Sequence, residues 1–165
     1  MNSDRIEKRN LLHASRHRVW RAVSDARAFG TWFGVAFDTA GFVAGAQLKG
    51  KIVPTAVDEE VARMQAPYAG KEFLFVVDRI EPEHRISFRW HPFAIDEAVD
   101  YAQEPMTLIE FELKEATEGT QLTITESGFD RLPAARRAVA YAANEQGWAK
   151  QLELVEKYLL QEAAA

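Results

Sequence analysis

Residues 132–161 read LPAARRAVAYAANEQGWAKQLELVEKYLLQ, and this stretch decides the fold. In its second half, apolar residues recur at Trp148, Leu152, Val155 and Leu159. This spacing repeats the 3.6-residue turn of a helix and places the four side chains in one stripe. Pro133 suits the first turn, where its missing N–H costs nothing. We therefore predict an amphipathic helix over 134–161, about 42 Å long, which needs a sheet to pack against.

Composition and charge limit the class of protein. The 165 residues are 47% hydrophobic and 27% charged, which is ordinary usage for one globular domain. A net charge of −5 gives no basic field, so we expect no nucleic-acid partner. Because the chain has no cysteine, disulfides and thiolate metal sites are excluded. No apolar run reaches the roughly 20 residues of a membrane span, and the polar segment 1–10 lacks a signal peptide, so we expect a cytoplasmic protein.

A strand and two short helices are predicted before residue 34. The strand covers 5–12, and Ser15 follows at the N-cap position of the first helix, where its hydroxyl accepts a free backbone N–H. A second short helix is predicted over 25–33. It carries Phe29, Trp32 and Phe33, which are too apolar for a turn that faces solvent.

The central part of the chain has the pattern of antiparallel strands. Glycines divide 35–53 into a predicted hairpin, and 55–70 is predicted as a loop with a short turn. The nearly continuous apolar run in 72–80 predicts a strand that is covered on both faces. Further strands are predicted at 85–91, 106–114 and 121–127. The acidic segment 92–105 interrupts the pattern and is predicted to be a surface insertion. We expect a single domain over 1–165.

Short motifs along the chain resemble one family in their order. They are Val19-Trp20-Arg21-Ala22, Thr31-Trp32-Phe33-Gly34, Arg79-Ile80-Glu81-Pro82, Phe88-Arg89-Trp90, Leu108-Ile109-Glu110-Phe111-Glu112-Leu113, Gly119-Thr120-Gln121-Leu122-Thr123, Glu126-Ser127-Gly128-Phe129 and Gly147-Trp148. The chain resembles the single-domain bacterial homologues of the heat-shock-protein ATPase activator, in the START-like superfamily. The resemblance implies an α+β helix-grip fold. In this fold a curved antiparallel sheet of about six or seven strands wraps around a long C-terminal helix, with two short helices after strand 1 and a cavity between sheet and helix.

Large apolar side chains are the candidates for a ligand-binding pocket. They are Trp32, Phe73, Phe75, Phe88, Trp90, Phe111, Phe129, Trp148 and Leu152. Ligand sites are mostly apolar, with a few placed polar groups. Aromatic rings also fill cores, so these side chains either pack the interior or line the cavity that the family resemblance implies.

Glu126 is the polar candidate within this set. Counting by two along the last strand places it with Leu122 and Ile124, on the face expected to be buried. A carboxylate there needs hydrogen bonds or a partner. In one interpretation Glu126 accepts backbone N–H groups of the following turn. In the other it is a cavity acid that orients or protonates a ligand, which also makes it a weak candidate for a catalytic residue.

We predict no metal site and no cofactor. His13 and His17 stand four residues apart, but if Ser15 caps the helix the two rings do not share a face, and companion ligands are lacking. The segment 45–51 matches the first seven positions of a phosphate-binding loop, yet Ile52 stands where the required Ser or Thr would bind magnesium.

Three functions from different classes remain. The first is intracellular binding of a small hydrophobic or amphipathic molecule in a cavity between the sheet and the C-terminal helix. The second, which the family resemblance implies, is a co-chaperone whose partner is a heat-shock-protein ATPase. The third is an enzyme of the cyclase, dehydratase or hydrolase type that uses Glu126 as a general acid or base.

Overall fold

A computed structural model describes residues 4–96 and 98–164. The strands are β1 (Arg5–Leu12), β2 (Val35–Phe37), β3 (Gln47–Ile52), β4 (Glu72–Glu81), β5 (Arg85–Trp90), β6 (Thr107–Ala116) and β7 (Gly119–Ser127). The helices are α1 (Arg16–Ser24), α2 (Ala26–Phe33), α3 (Glu59–Gln65) and α4 (Ala134–Ala164). The seven strands form one antiparallel sheet in the order β1-β7-β6-β5-β4-β3-β2, and the helices confirm the α+β, helix-grip arrangement.

The beginning of the chain folds as the sequence predicts. Ser15 Oγ accepts a hydrogen bond from the backbone N of Arg18 at 3.2 Å, which caps α1. Asp25 Oδ1 accepts from the backbone N of Ala28 at 2.8 Å and caps α2. Gly34, with φ at +96°, ends α2 in the left-handed conformation that favours glycine. The two short helices therefore follow β1 directly and cover one end of the sheet.

The long helix α4 begins at Ala134, as predicted, and extends three residues beyond the predicted end at 161. The predicted stripe is buried: Trp148, Leu152, Val155 and Leu159 are 2%, 6%, 0% and 4% exposed. The helix packs against α1, α2 and β1. In the part of the chain that the structure describes, no helix combines the length and the hydropathy that crossing a membrane requires.

A third helix, α3, lies where the sequence predicted a loop with a short turn. Asp58 Oδ1 accepts from the backbone N of Val61 at 2.9 Å, and acidic residues in the first turn favour the helix start. Only Val61 is buried on this helix. The prediction was wrong because one buried side chain in seven residues leaves no apolar stripe for periodicity to detect.

Strand β4 is covered on one face, so the prediction of two covered faces was wrong. Phe75 and Val77 are 1% and 0% exposed, whereas Leu74, which points to the opposite face, is 42% exposed. The apolar run is typical of a strand whose two faces are both buried by other layers of the protein. An antiparallel sheet commonly leaves one face in solvent, and apolar side chains on that face are tolerated.

The acidic segment 92–105 connects β5 to β6, and we call it the strap. Its middle is exposed as predicted, at residues 96, 98–100, 102 and 103, whereas Pro92 at its beginning is buried. A short 3₁₀ turn at Tyr101–Gln103 precedes its return to the sheet. Asp100 caps this turn by accepting from the backbone N of Ala102 at 3.1 Å. Glu97, which belongs to the predicted acidic insertion, lies outside the described residues.

Candidate functional site

Glu126 lies at the centre of a cluster of side-chain hydrogen bonds. It is fully buried, as its place on β7 predicted. Its Oε1 accepts from Asn144 Nδ2 and from Trp148 Nε1, both at 2.8 Å. Its Oε2 accepts from Trp90 Nε1 at 2.7 Å and from Thr107 Oγ1 at 2.5 Å. An ionised carboxylate has about four acceptor positions, so the acceptor capacity of Glu126 is filled. We call these five residues the Glu126 cluster.

The interpretation that Glu126 bonds backbone N–H groups of the following turn was wrong. All four of its donors are side chains, and they come from β5, β6 and α4. Sheet register explains two of them, because Trp90 at the end of β5 pairs with Thr107 at the start of β6. Helical spacing explains the other two, because Asn144 and Trp148 stand four residues apart on one face of α4.

Most of the predicted aromatic residues form one connected group beside this cluster. Ring centroids are 4.6 Å apart for Phe75 and Phe88, 5.8 Å for Trp90 and Trp148, and 5.9 Å for Phe111 and Trp148. The group continues through Trp32, at 6.3 Å from Phe111, and Phe73, at 6.2 Å from Trp90. Leu152 is buried one turn after Trp148 on α4.

Phe129 is the predicted ring that lies elsewhere. It is fully buried, but its ring contacts Tyr141 of α4 at a centroid distance of 5.2 Å. The sequence placed Phe129 among the pocket candidates because it is one of the large apolar rings. The turn at Gly128, with φ at +102°, redirects the chain after β7. The residues that sequence reasoning did not place in the group are Phe29, Phe33, Phe37 and Phe42.

Five rings of the group are only partly buried, and we call three of them the aromatic mouth: Phe33, Phe73 and Trp90. Phe33 lies 6.1 Å from Trp90 and 6.0 Å from the buried ring of Trp148. The deeper rings of Trp32, Phe88 and Phe111 are fully buried and in contact with their neighbours. The rings behind the mouth therefore touch one another.

A surface pocket lies apart from the aromatic mouth. It has a volume of about 640 Å³ and lies between α2 and the edge strand β2, where Arg27, Gly30 and Asp38 line it. None of the predicted ligand-binding residues contributes to it.

Arg136 fastens the strap to the beginning of α4. Its guanidinium donates to both carboxylate oxygens of Glu104, at 2.7–3.1 Å, and to the backbone oxygens of Pro92 and Phe93 at 3.0 and 3.1 Å. It also lies 4.6 Å from the ring centroid of Tyr101. The Arg136 and Glu104 side chains are only 17% and 12% exposed. The strap is therefore held by a largely buried ion pair next to the Glu126 cluster.

His91 joins the strap to the Glu126 cluster, since it follows Trp90 directly. Burial lowers the pKa of His91 below its ordinary value, with an opposing contribution from the nearby Glu104 and a further lowering by Arg136. Burial therefore disfavours the charged form of the imidazole. Among the described residues no group of three histidine or acidic side chains is arranged to hold a metal ion.

Residues 13–159 match the family described as activator of Hsp90 ATPase homolog 1-like protein. The chain belongs to this family. The match spans most of the chain and includes every residue of the Glu126 cluster and of the strap. The resemblance stated from the short motifs is thereby confirmed, and the fold supports a domain of ligand-binding or co-chaperone type.

Solved structures from several bacteria share the fold. A protein from Mesorhizobium loti is 22% identical, with a TM-score of 0.68 over 95% of this chain and 97% of its own. A protein from Nitrosomonas europaea is 18% identical, with a TM-score of 0.67 over 100% and 99%. A protein from Arthrobacter aurescens is 16% identical, with a TM-score of 0.71 over 96% and 87%. A search of curated proteins gives no match.

Thr107 and Asn144 are members of the cluster that sequence reasoning missed. Asn144 carries a signal, because it stands one turn before Trp148 on the face that the helix buries. The sequence gives no such signal for Thr107, since a threonine at the start of a strand is common and has no single role. Its role follows from its position opposite Trp90, which depends on how β5 and β6 pair.

Proposed function

We propose that this chain binds a small hydrophobic or amphipathic molecule inside the cell, between the sheet and α4, with the aromatic mouth as the way in. The observation that carries the proposal is the Glu126 cluster. It places a fully buried carboxylate, whose acceptor positions are all occupied, directly behind a partly exposed group of aromatic rings. Ligand sites combine apolar walls with a few fixed polar groups in this way.

The energetics of a buried carboxylate support this interpretation. Replacing a buried charged network by apolar residues is often neutral or stabilising, so stability alone does not require Glu126. What the carboxylate does is fix two indole rings, because it binds Trp90 Nε1 on one oxygen and Trp148 Nε1 on the other. The two rings thus present constant faces to a molecule that enters at the mouth.

Glu126 acts in this proposal as a positioning residue. Both of its oxygens already accept two hydrogen bonds. To take or give a proton it would have to lose one of these partners. The filled carboxylate supports binding over the acid–base role that the sequence left open.

Titration with 1-anilinonaphthalene-8-sulfonate, an amphipathic aromatic probe, tests the proposal. We expect saturable binding to the folded protein and a rise in Tm, because a ligand that selects the native state stabilises it by about 2.7 kcal/mol at 100 times its Kd. Phe73→Ala removes one wall of the mouth and should weaken binding at least about tenfold, given the size of a lost aromatic contact.

The matched control is Val43→Ala, which truncates an apolar side chain that is 67% exposed and outside the mouth. It should leave the affinity unchanged. Equal affinities for the wild type and Phe73→Ala, with both folded, would place the probe elsewhere and contradict the proposal. If Phe73→Ala weakens binding as expected, native mass spectrometry of the protein from its own cells would identify the molecule that the mouth holds.

The family match supports a second candidate, stimulation of an Hsp90-type ATPase. This function needs a protein-binding surface and no ligand. The turnover of ATP by the purified chaperone should then rise when the chain is added, and Phe73→Ala should leave the increase unchanged. If turnover does not rise at any ratio of the two proteins, this candidate is excluded.

A further inference from the structure

One buried acceptor has no donor in the part of the chain that the structure describes. Four buried side-chain atoms there lack a hydrogen-bond partner: Arg16 Nε, His91 Nδ1, Arg137 Nε and Gln151 Oε1. The two arginine atoms are donors, and the imidazole nitrogen changes its role with the tautomer. Gln151 Oε1 accepts only. Buried polar atoms in native structures are nearly always paired, so an unpaired acceptor needs an explanation.

The orientation of the Gln151 amide is fixed by its surroundings. Its Nε2 donates to the backbone oxygen of Phe33 at 3.3 Å. A carbonyl oxygen can only accept, so the NH₂ group faces Phe33 and the oxygen faces away from it. Gln65 donates to the same oxygen of Phe33 at 3.1 Å, but its own Oε1 accepts from the backbone N of Thr55 at 2.7 Å. Of the two amides, only that of Gln151 keeps an unused acceptor.

Gln151 is joined to the aromatic mouth through the backbone of Phe33. It stands three residues after Trp148 on α4, which puts the two side chains on neighbouring positions of one helix face. It is bonded to Phe33, whose ring is 6.1 Å from Trp90 and 6.0 Å from Trp148. Gln151 is therefore bonded to the residue whose ring forms one side of the mouth.

We propose that Gln151 accepts a hydrogen bond from the bound molecule, which is then a ring-sized apolar compound that carries a hydroxyl or N–H donor. The inference rests on the proposed function and names the chemical class of its ligand. Glu126 cannot take this role, because its four acceptor positions are filled. Gln151 is thus the specificity-determining residue, and Glu126 holds the rings in place.

A pair of probes of matched shape tests this assignment: 2-naphthol, which has the donor, and 2-methylnaphthalene, in which a methyl group replaces the hydroxyl. Binding is followed by the quenching of tryptophan fluorescence. In the variant Gln151→Met, the ratio of the 2-naphthol affinity to the 2-methylnaphthalene affinity should fall at least about tenfold, because a site built to pair a hydroxyl discriminates strongly against its absence. The affinity for 2-methylnaphthalene should be unchanged.

Gln146→Met is the control, since it makes the same change at an exposed position of α4. It should leave both affinities as they are in the wild type. If Gln151→Met is folded and binds both probes in the wild-type ratio, the assignment of Gln151 is overturned while ligand binding stands. If neither probe binds the wild type, both this inference and the proposed function at the mouth are overturned.

Discussion

Glu126 and Gln151 are two polar groups beside the same aromatic rings, and they differ in how they are satisfied. Every acceptor position of Glu126 is taken by a donor from the protein itself. The amide of Gln151 has one hydrogen bond from its nitrogen and none to its oxygen. Under the proposed function, the difference separates the polar group that builds the site from the one that meets the ligand, and burial alone would not separate the two.

We expect the largest loss of stability from changing Glu126, whose acceptor positions are all occupied. Glu126→Gln turns one oxygen into an NH₂ group that faces two donors, and each buried group left unpaired costs about 1–3 kcal/mol. We expect the free energy of unfolding to fall by about 2–6 kcal/mol, measured by urea denaturation. Glu115→Gln, at a side chain that is 71% exposed, is the control. A loss below about 1 kcal/mol would mean that Glu126 is as loosely held as Gln151.

Trp148→Phe removes one donor and keeps most of the ring. One position on Glu126 Oε1 then stays empty, since Asn144 remains as its other partner. The free energy of unfolding should fall by about 1–3 kcal/mol. In the double variant with Glu126→Gln, the two losses should not add, because the residues share one hydrogen bond. Additive losses would show that the cluster does not act as a unit.

Arg136→Gln extends the comparison to the strap. It leaves Glu104 without its cation and the oxygens of Pro92 and Phe93 without their donor. We expect a loss of about 1–2 kcal/mol and faster hydrogen exchange confined to the strap. Lys150→Gln, which removes an exposed pair with Glu153, should change stability by less than about 0.5 kcal/mol. Exchange that accelerates throughout the sheet would contradict a local role for the strap.

Gln151→Met should change stability by less than about 1 kcal/mol. The lost hydrogen bond to Phe33 is offset because the unpaired oxygen goes too and Gln65 still donates to Phe33. Thermal unfolding of the free protein measures this. A loss as large as that of Glu126→Gln would mean that Gln151 is structural, and the contrast between the two residues would disappear.

The smallest effect concerns pH. Burial lowers the pKa of His91 below the ordinary value of 6.5, so the unfolded chain takes up a proton at a pH where the folded chain does not. The contribution of His91 to stability is therefore complete at pH values above its ordinary pKa. It is lost as the pH falls from that value towards the lowered pKa of the folded protein. The urea midpoint should decline less between about pH 7.5 and about pH 5.5 in His91→Gln than in the wild type. The control is His84→Gln, which changes an exposed histidine and should show the same decline as the wild type.

The parts of the fold that the sequence predicted are those with a local cause. Ser15 caps α1 through its own hydroxyl, and the stripe from Trp148 to Leu159 follows from helical spacing alone. Strand β1 and the start of α4 lie where the pattern put them. Helix α3 was missed because Asp58 caps a helix that buries only Val61. Its place depends on contacts such as that between Lys157 and Asp58, which are 99 residues apart.

The candidate site also has one feature that the sequence predicts from a local pattern and others that depend on distant parts of the chain. The alternation along β7 predicted that Glu126 is buried, since a strand repeats every two residues. Its donors come from β5, β6 and α4, and a single sequence does not show which side chains meet across such separations. The unpaired oxygen of Gln151 is harder still to foresee, because it depends on the absence of a donor at one point in space.

The strap is anchored in a way that bears on redesign. Trp90 precedes it, Thr107 follows it, and both bind the same oxygen of Glu126. The residues that flank the strap on both sides are thus hydrogen-bonded to one buried oxygen atom. A graft between these two residues that keeps Pro92, Phe93 and Glu104, the partners of Arg136, would retain this anchorage and would place new recognition chemistry next to the rings.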